Sequence, residues 1–189
     1  IYFYFKIEPD IIFRPKITIK NIPSGRLEKI GKRALDNFVF HLGLMEMPSY
    51  WKATCSPLIE VRAGSLNREQ VKWWQTLILK GFGQFFFKNK LPFQKPVIRS
   101  LGTSCPKLRL GQLKDSILVP MGGGKDSILT LEILKEAEKD IRCFSLNPTK
   151  AAKTVIKIGK CQKPIIVQRI LDPKLFELNR QGFFNGHTP

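Results

Sequence analysis

A glycine-rich segment between an apolar run and an amphipathic pattern constrains the fold of this chain most strongly. Residues 117–121 are apolar, and Gly122, Gly123, Gly124 and Lys125 follow them directly. Beyond the lysine, apolar residues recur every three or four positions, which predicts a helix with one buried face. The sequence therefore predicts a strand, a glycine turn and the N-terminus of a helix.

This arrangement is suited to binding an anion. Glycines adopt positive φ angles and let a phosphate approach the backbone. The first N–H groups of a helix lack partners within the helix, and the helix dipole attracts negative charge. Lys125 adds a mobile positive charge, while Asp126 and Ser127 occupy positions where helix caps occur. We predict a phosphate site here; the alternative is an ordinary glycine-rich turn between strand and helix.

The spacing excludes two familiar phosphate loops. A Walker A loop needs glycine where Val119 stands and Ser or Thr where Asp126 stands, and a dinucleotide-binding GxGxxG pattern needs glycine at Ser127. Residues 122–127 instead resemble the SGGxDS loop of the PP-loop ATP pyrophosphatases, with Gly122 in place of the serine. Members of that superfamily cleave ATP between the α- and β-phosphates and adenylate a carboxylate or carbonyl oxygen.

Length and composition allow one sizeable core or two small ones. The chain has 189 residues, of which 43% are hydrophobic and 11% aromatic, as in globular rather than disordered proteins. Its formal net charge of +17 favours polyanionic partners: nucleic acid, an anionic membrane surface or phosphorylated small molecules. Because the basic residues are spread along the chain without a block, a generally basic solvated surface is the simplest interpretation.

The cysteines and histidines do not form a recognisable metal site. The chain has four cysteines: Cys55, Cys105, Cys143 and Cys161. They form no CxxC pair, and two histidines are too few for a zinc site, so we expect reduced thiols in a cytoplasmic protein. No apolar run approaches the roughly 18 residues of a membrane helix. No signal peptide is visible, but the first residue is Ile1 rather than Met, so we expect the N-terminus to be incomplete.

The first half of the chain mixes strands and helices. Residues 1–20 are rich in aromatic and β-branched residues, which predicts strands. An apolar stripe predicts a helix over residues 26–45, whereas residues 46–57 fit neither period and are interpreted as a loop of the kind that often holds sites. A strand at 58–62 and a helix over 67–87, which glycines interrupt, complete this half.

The second half alternates strand and helix. Residues 88–111, rich in proline and glycine, are interpreted as a linker between an N-terminal α+β domain, 1–111, and a nucleotide-binding domain, 112–189. Strands and helices then alternate over 117–121, 126–139, 141–146, 150–160, 164–171 and 172–182. This series predicts an α/β fold with a parallel sheet. Because three strands make a poor open sheet, we expect the domain to be incomplete at its C-terminus.

Several further motifs narrow the resemblance. They lie, in order, at residues 41–57, 73–74, 81–89, 119–127, 146–148 and 185–189. Together they are similar to the bacterial UDP-N-acetyl-α-D-muramoyl-L-alanyl-L-glutamate epimerases, over most of residues 38–189. The resemblance implies a PP-loop fold, related to the adenine nucleotide alpha hydrolases, with helices on both faces of a parallel sheet. It also implies that the C-terminal part of the family's chain is missing here.

The resemblance implies an ATP- and Mg²⁺-dependent enzyme of peptidoglycan precursor synthesis. The family inverts the terminal L-Glu of the small-molecule substrate UDP-MurNAc-L-Ala-L-Glu to D-Glu and converts ATP to AMP and pyrophosphate. Adenylation of the carboxylate removes its charge, which makes the neighbouring α-proton more acidic. A base can then remove that proton and an acid can return one on the other face.

The same resemblance implies roles for individual residues. The Gly122–Gly124 backbone and Ser127 would hold the phosphates that leave, and Lys125 would neutralise charge that develops between the α- and β-phosphates. Asp126 would either hold Mg²⁺ or cap the helix. Two further expected nucleotide contacts are Asn147, at the end of the second strand, and His187.

Three residues are candidates for proton transfer. Cys55 and Lys52 lie in the irregular segment, and His41 lies just before it on the predicted helix. Thiol, amine and imidazole groups all serve as acids or bases in enzymes. The alternative for each is a structural role.

Two other functions compete with the epimerase. The loop also resembles those of tRNA-thiolating and lysidine-forming enzymes and of the amidating ligases that make diphthamide, and the positive charge favours an RNA partner. The second alternative is a nucleotide-binding module, or an inactive remnant, without enzymatic activity. Against a tRNA-thiolating enzyme, the chain has no CxxC pair for sulfur chemistry.

Overall fold

The chain forms two compact units that interleave along the sequence. The computed structural model describes residues 1–20, 22, 24–102 and 115–184. Unit 1 contains Ile1–Tyr2, Pro15–Ile30 and Arg109–Ile170, and unit 2 contains Phe3–Arg14, Gly31–Leu108 and Leu171–Pro189. The predicted domain boundary between residues 111 and 112 lies outside the described residues and stays a prediction.

Strands and helices follow one another through both units. The strands are β1 (Phe5–Ile7), β2 (Ile11–Phe13), β3 (Lys16–Ile19), β4 (Leu58–Val61), β5 (Val97–Ser100), β6 (Ile117–Pro120), β7 (Ile141–Leu146) and β8 (Ile165–Ile170). The helices are α1 (Ser24–Ile30), α2 (Lys32–Trp51), α3 (Arg68–Gly81), α4 (Gly83–Lys88), α5 (Lys125–Glu136), α6 (Lys150–Ile158) and α7 (Pro173–Arg180). Within the described ranges, no helix is long and apolar enough to cross a membrane.

Unit 1 is built on a four-stranded mixed sheet in the order β3-β8-β7-β6. Strands β6, β7 and β8 are parallel, as the alternating pattern predicts. Strand β3 pairs antiparallel with β8, from Lys16 opposite Ile170 to Ile19 opposite Val167. The prediction of a purely parallel sheet is therefore wrong, because a strand from the N-terminal region covers the edge of β8. The predicted α/β class is confirmed.

The core of unit 1 lies on one face of this sheet. Val119 of β6 and Cys143 of β7 are register neighbours, so their side chains share a face. Leu131 of α5 and Ile156 of α6 belong to the same buried cluster. Both crossover helices thus cover one face, as expected when parallel strands follow in sequential order, whereas the family resemblance implied helices on both faces.

A disulfide joins β7 to the segment after α6. Cys143 and Cys161 are bonded, with their Cα atoms 6.0 Å apart. The prediction of reduced thiols is therefore wrong for this pair, because the return of α6 onto the sheet brings together two cysteines 18 residues apart. Cys55 is a free thiol.

The long helix predicted over residues 26–45 is divided and extended. Gly31 has φ of +79° and separates α1 from α2, so the single helix predicted over 26–45 is wrong at this point. Helix α2 continues through Pro48 to Trp51, where an irregular loop was predicted. Tyr50 and Trp51, 1% and 7% exposed, reach the core from this last turn.

The remaining elements of unit 2 complete two apolar clusters. Asn67 caps α3 through a reciprocal capping box with Gln70, and Phe82 separates α3 from α4, as the glycines predicted.

Strand β5 pairs parallel with β4 and lies inside the segment that was interpreted as a linker, which corrects that interpretation. The larger cluster contains Leu44, Trp51, Ile59, Val61, Leu66, Trp74, Ile78, Phe85, Phe86 and Ile98.

Candidate functional site

The glycine loop starts from a firmly held strand end. Met121, just beyond β6, is 2% exposed. Its N–H donates to the carbonyl of Phe144 at 2.7 Å, and its carbonyl accepts from the Ser145 hydroxyl at 2.7 Å. These bonds to β7 fix the direction in which the chain leaves the sheet. The loop therefore lies at the carboxyl ends of the parallel strands, where open α/β sheets bind ligands.

Gly123 rests directly on the first turn of α6. Its φ of +89° lies in a region that residues with a side chain rarely adopt. A Cβ atom added there would lie 2.5 Å from the backbone nitrogen of Ala152 and 2.8 Å from the carbonyl carbon of Ala151. The N-terminal turn of α6 is thus adjacent to the loop that begins α5.

The first turn of α5 has no side-chain cap. Gly124 occupies the N-cap position, and no side chain accepts a hydrogen bond from the first N–H groups. The Ser127 hydroxyl donates to the Gly124 carbonyl at 2.8 Å, and Lys125 and Asp126 are exposed. In contrast, Thr149 caps α6 by accepting from the Ala152 N–H at 3.1 Å. The uncapped N–H groups of α5 are those that an anion would meet.

Asn147 extends the pairing between β7 and β8. Its φ is +44°, and its backbone N–H donates to Val167 at 2.8 Å. Its side-chain amide donates to the Arg169 carbonyl at 2.9 Å and accepts from the Arg169 N–H at 2.8 Å. The side-chain amide therefore forms the pair of hydrogen bonds that the backbone of one more strand residue would form. Its predicted contact with adenosine stays a prediction.

In unit 2, Lys52 and Cys55 lie in one turn after α2. Lys52 is 3% exposed, and its ammonium lies 5.0 Å and 5.2 Å from the ring centroids of Phe82 and Phe85. In such cation–π contacts the ring faces attract the ammonium. Cys55 has φ of +51°, and its thiol donates to the Lys52 carbonyl at 3.5 Å. The structure thus brings these two predicted residues together.

Burial controls the acidity of Cys55. Loss of water contact raises the pKa of the thiol to about 11, and the nearby charge of Lys52 opposes this shift. Cys55 lines a surface cavity of about 140 Å³ together with Trp51, Thr54 and Phe86. At neutral pH the group in this cavity is a protonated thiol, which can donate a proton but is a poor base.

His41 lies elsewhere in unit 2, in an aromatic cavity of about 270 Å³ that is also lined by Met45, Gln70, Trp73 and Trp74. Burial lowers the pKa of its imidazole below the ordinary 6.5. The ring is therefore neutral at physiological pH and can accept a proton.

The predicted metal and distal ligand contacts stay predictions. Asp126 is one exposed carboxylate in the first turn of α5. Over residues 1–20, 22, 24–102 and 115–184, no group of three or more His, Cys, Asp or Glu could hold a metal ion. Mg²⁺ is often held by one carboxylate together with phosphates and water, so Asp126 fits that weaker kind of site. His187 lies outside the described residues.

Sequence reasoning missed two features beside the glycine loop. One is Thr149, whose place before an apolar-periodic segment is an N-cap signal. The other is the row of lysines on α6 at Lys150, Lys153 and Lys157, whose spacing of three and four residues is the signal that predicts one helix face. The contact between Gly123 and α6 left no local signal in the sequence.

Comparisons with known proteins agree on one family. The model of the family described as the MurL N-terminal domain matches residues 1–189. A protein of Xanthomonas oryzae pv. oryzae, named UDP-N-acetyl-alpha-D-muramoyl-L-alanyl-L-glutamate epimerase, is 33% identical over 153 residues, 78% of this chain and 33% of the relative. Proteins of the same name from a Micromonospora species and Salinispora tropica are 33% and 32% identical, over 75% of this chain and 32% and 31% of theirs.

The chain therefore spans about a third of the length of the curated relatives it matches. No solved structure matches the chain significantly.

Proposed function

This chain belongs to the MurL N-terminal domain family, and we propose that it is part of an epimerase of peptidoglycan precursor synthesis. The reaction would invert the terminal L-Glu of UDP-MurNAc-L-Ala-L-Glu to D-Glu. The observation that carries this proposal is similarity over at least 75% of the chain to three relatives that bear that epimerase name. The matched residues make up only 31–33% of each relative, so this chain would supply only some of the residues required.

We propose further that the glycine loop binds ATP. Two features support this: the uncapped N-terminus of α5 and the exposed ammonium group of Lys125 beside it. ATP would supply an adenylyl group that neutralises the glutamate carboxylate, with release of pyrophosphate. The N–H groups of residues 124–126 would hold phosphate oxygens, and Lys125 would stabilise charge that develops there. Asp126 would hold the accompanying Mg²⁺.

Proton transfer is assigned by protonation state. Cys55 is a protonated thiol in a cavity, so it suits the return of a proton to Cα. His41 lines a different cavity, about three helical turns before Lys52, so it would not reach the Cα that Cys55 serves, and the base that removes the proton is not assigned. Lys52, whose ammonium lies over two rings and close to the thiol, would position Cys55 and moderate its pKa.

A turnover assay tests the proposed function. The chain is incubated with ATP and Mg²⁺, with and without UDP-MurNAc-L-Ala-L-Glu, and AMP, pyrophosphate and D-Glu are measured. The full-length relative from Xanthomonas oryzae serves as positive control for substrate and assay. AMP that forms only with this substrate, together with D-Glu, supports the proposal. ATP binding without turnover, while the relative is active, would favour a nucleotide-binding module.

One observation favours a second candidate. The net charge of +17 suits an enzyme that adenylates RNA with the same loop. AMP formation that depends on tRNA, with salt-sensitive tRNA binding in a gel shift, would replace the epimerase by such an enzyme. Absence of both results removes this candidate.

A further inference from the structure

Helix α6 carries a row of exposed lysines along one side. Lys150, Lys153 and Lys157 are spaced by three and four residues, so they lie on one face of the helix. Ala152 and Ile156, which are 1% and 8% exposed, anchor a different face against the sheet. The helix therefore holds the lysines in a fixed row at the surface of unit 1.

This row has no local counter-charge. Helix α6 contains no Asp or Glu, whereas Lys135 of α5 pairs with Glu132 one turn away at 2.7 Å. None of the three α6 lysines forms an ion pair with a carboxylate in the part of the chain that the structure describes. Their charges are available to an external anion.

The row begins beside the glycine loop. Gly123 touches the backbone of Ala151 and Ala152, in the same turn as Lys150 and Lys153. From Lys150 to Lys157 the helix rises by about 10 Å, at 1.5 Å per residue. An anion bound along the row would therefore lie within the reach of a small extended molecule whose other end is at the loop.

We propose that the α6 lysine row binds the diphosphate of a nucleotide-sugar substrate; this rests on the proposed function. Lys153 and Lys157 are one turn apart, where Cβ atoms are about 5–6 Å from each other, so both ammonium groups can meet one pair of linked phosphates. A UDP-linked sugar dipeptide carries a diphosphate between the uridine and the sugar, and glutamate carboxylates at the end of its peptide. Its carboxylate would be activated at the loop while the row holds its diphosphate.

The chemistry of α6 favours a small diphosphate over RNA. Proteins that bind single-stranded nucleic acid combine basic grooves with aromatic side chains on which bases stack. Helix α6, KAAKTVIKI, has no aromatic residue. A row of three lysines is also short for a polymer, while it is sufficient for two phosphates.

Equilibrium binding to the chain tests the proposal. The ligands are UDP-MurNAc-L-Ala-L-Glu, MurNAc-L-Ala-L-Glu without the nucleotide, ATP, and a single-stranded RNA of random sequence. The double variant Lys153→Gln with Lys157→Gln is compared with wild type. The matched control, Lys72→Gln with Lys80→Gln, removes two exposed charges from α3 of unit 2. Circular dichroism verifies that both variants fold.

We expect the α6 variant to bind the UDP-linked ligand at least about 10-fold more weakly than wild type, as loss of two charge-assisted contacts predicts. Affinity for the ligand without UDP and for ATP should change less than about threefold, and the control should resemble wild type. The proposal would be overturned if the α6 variant lost as much affinity for ATP as for the UDP-linked ligand, if it lost affinity for RNA alone, or if no affinity changed. If the variant lost affinity only for the UDP-linked ligand and the wild-type chain did not bind ATP, diphosphate binding at the lysine row would be supported and ATP binding at the glycine loop refuted.

Discussion

Replacement of Gly123 by alanine should disrupt unit 1 more than the same replacement at Gly122 or Gly124. The new Cβ would lie 2.5 Å from the Ala152 nitrogen and 2.9 Å from its Cα, both backbone atoms that cannot rotate away. The φ of +89° adds strain for any residue with a side chain. Either the loop or the first turn of α6 must therefore move.

The expected cost follows from these two effects. Backbone strain contributes about 1–3 kcal/mol and overpacking about 1–3 kcal/mol, while the lower entropy of alanine in the unfolded chain offsets roughly 0.4–1 kcal/mol. The sum is a loss of about 1–5.5 kcal/mol from a domain whose free energy of unfolding is typically 5–15 kcal/mol. With a urea m value of about 2 kcal/mol per M, the unfolding midpoint should fall by roughly 0.5–3 M.

Trp51, Trp73 and Trp74 all belong to unit 2, so tryptophan fluorescence reports on that unit, whereas circular dichroism reports on both. We expect Gly123→Ala to shift the transition seen by circular dichroism more than that seen by tryptophan fluorescence. Gly122→Ala and Gly124→Ala are matched controls, since neither added Cβ meets an atom within 4 Å. An unchanged midpoint for Gly123→Ala, or equal losses in the controls, would refute the packing argument.

Three further predictions use other sites. Gly102→Ala should lower the free energy of unfolding in urea by about 1–3 kcal/mol or more, because its Cβ would lie 2.3 Å from the Gly64 carbonyl. Its control is Gly81→Ala, which adds a Cβ in open space and should not destabilise the fold. Thr149→Ala should lower the free energy of unfolding in urea by about 1 kcal/mol, because α6 loses its N-cap. Thr154→Ala in the same helix is the control. Cys55, with its pKa raised to about 11, should react with iodoacetamide at pH 8 up to about 100-fold more slowly in the folded than in the unfolded protein, measured with Cys105→Ser and the disulfide intact. Because the pKa of Cys55 is higher in the folded protein, the contribution of the protonated thiol to folding stability is complete below pH 9 and is lost towards pH 11. Equal alkylation rates in the folded and unfolded protein would contradict this pKa shift.

The strand and helix alternation of unit 1 could be predicted because its signals are local. Strand β7 has the predicted bounds, 141–146, and α6 begins at the predicted Lys150 after a Thr cap. Periodicity and caps act over a few residues, so one sequence contains them in full. The position of the glycine loop between β6 and α5 follows from the same local signals.

The errors arose where distant segments decide the structure. Strand β3 joins β8 across about 150 residues of chain, and only its pairing partner makes the sheet mixed. Strand β5 lies close to Pro92 and Pro96, so local turn signals concealed it. Proline disfavours a helical residue before it, yet α2 continues through Pro48 because Tyr50 and Trp51 gain burial in the core.

The three loop glycines are present for different reasons, and this difference yields the sharpest test of the loop. Packing and positive φ explain Gly123 without any ligand. Neither explains Gly122 or Gly124, which have open space and no positive φ; the proposed phosphate site would account for both, because it needs a ligand to approach the backbone closely. Gly124→Ala should therefore keep wild-type stability and weaken ATP binding at least about 10-fold, about 1.4 kcal/mol, because a methyl group enters the space of a phosphate. Thermal shift with increasing ATP measures this loss; wild-type ATP affinity in Gly124→Ala would show that the loop does not hold phosphate through its backbone.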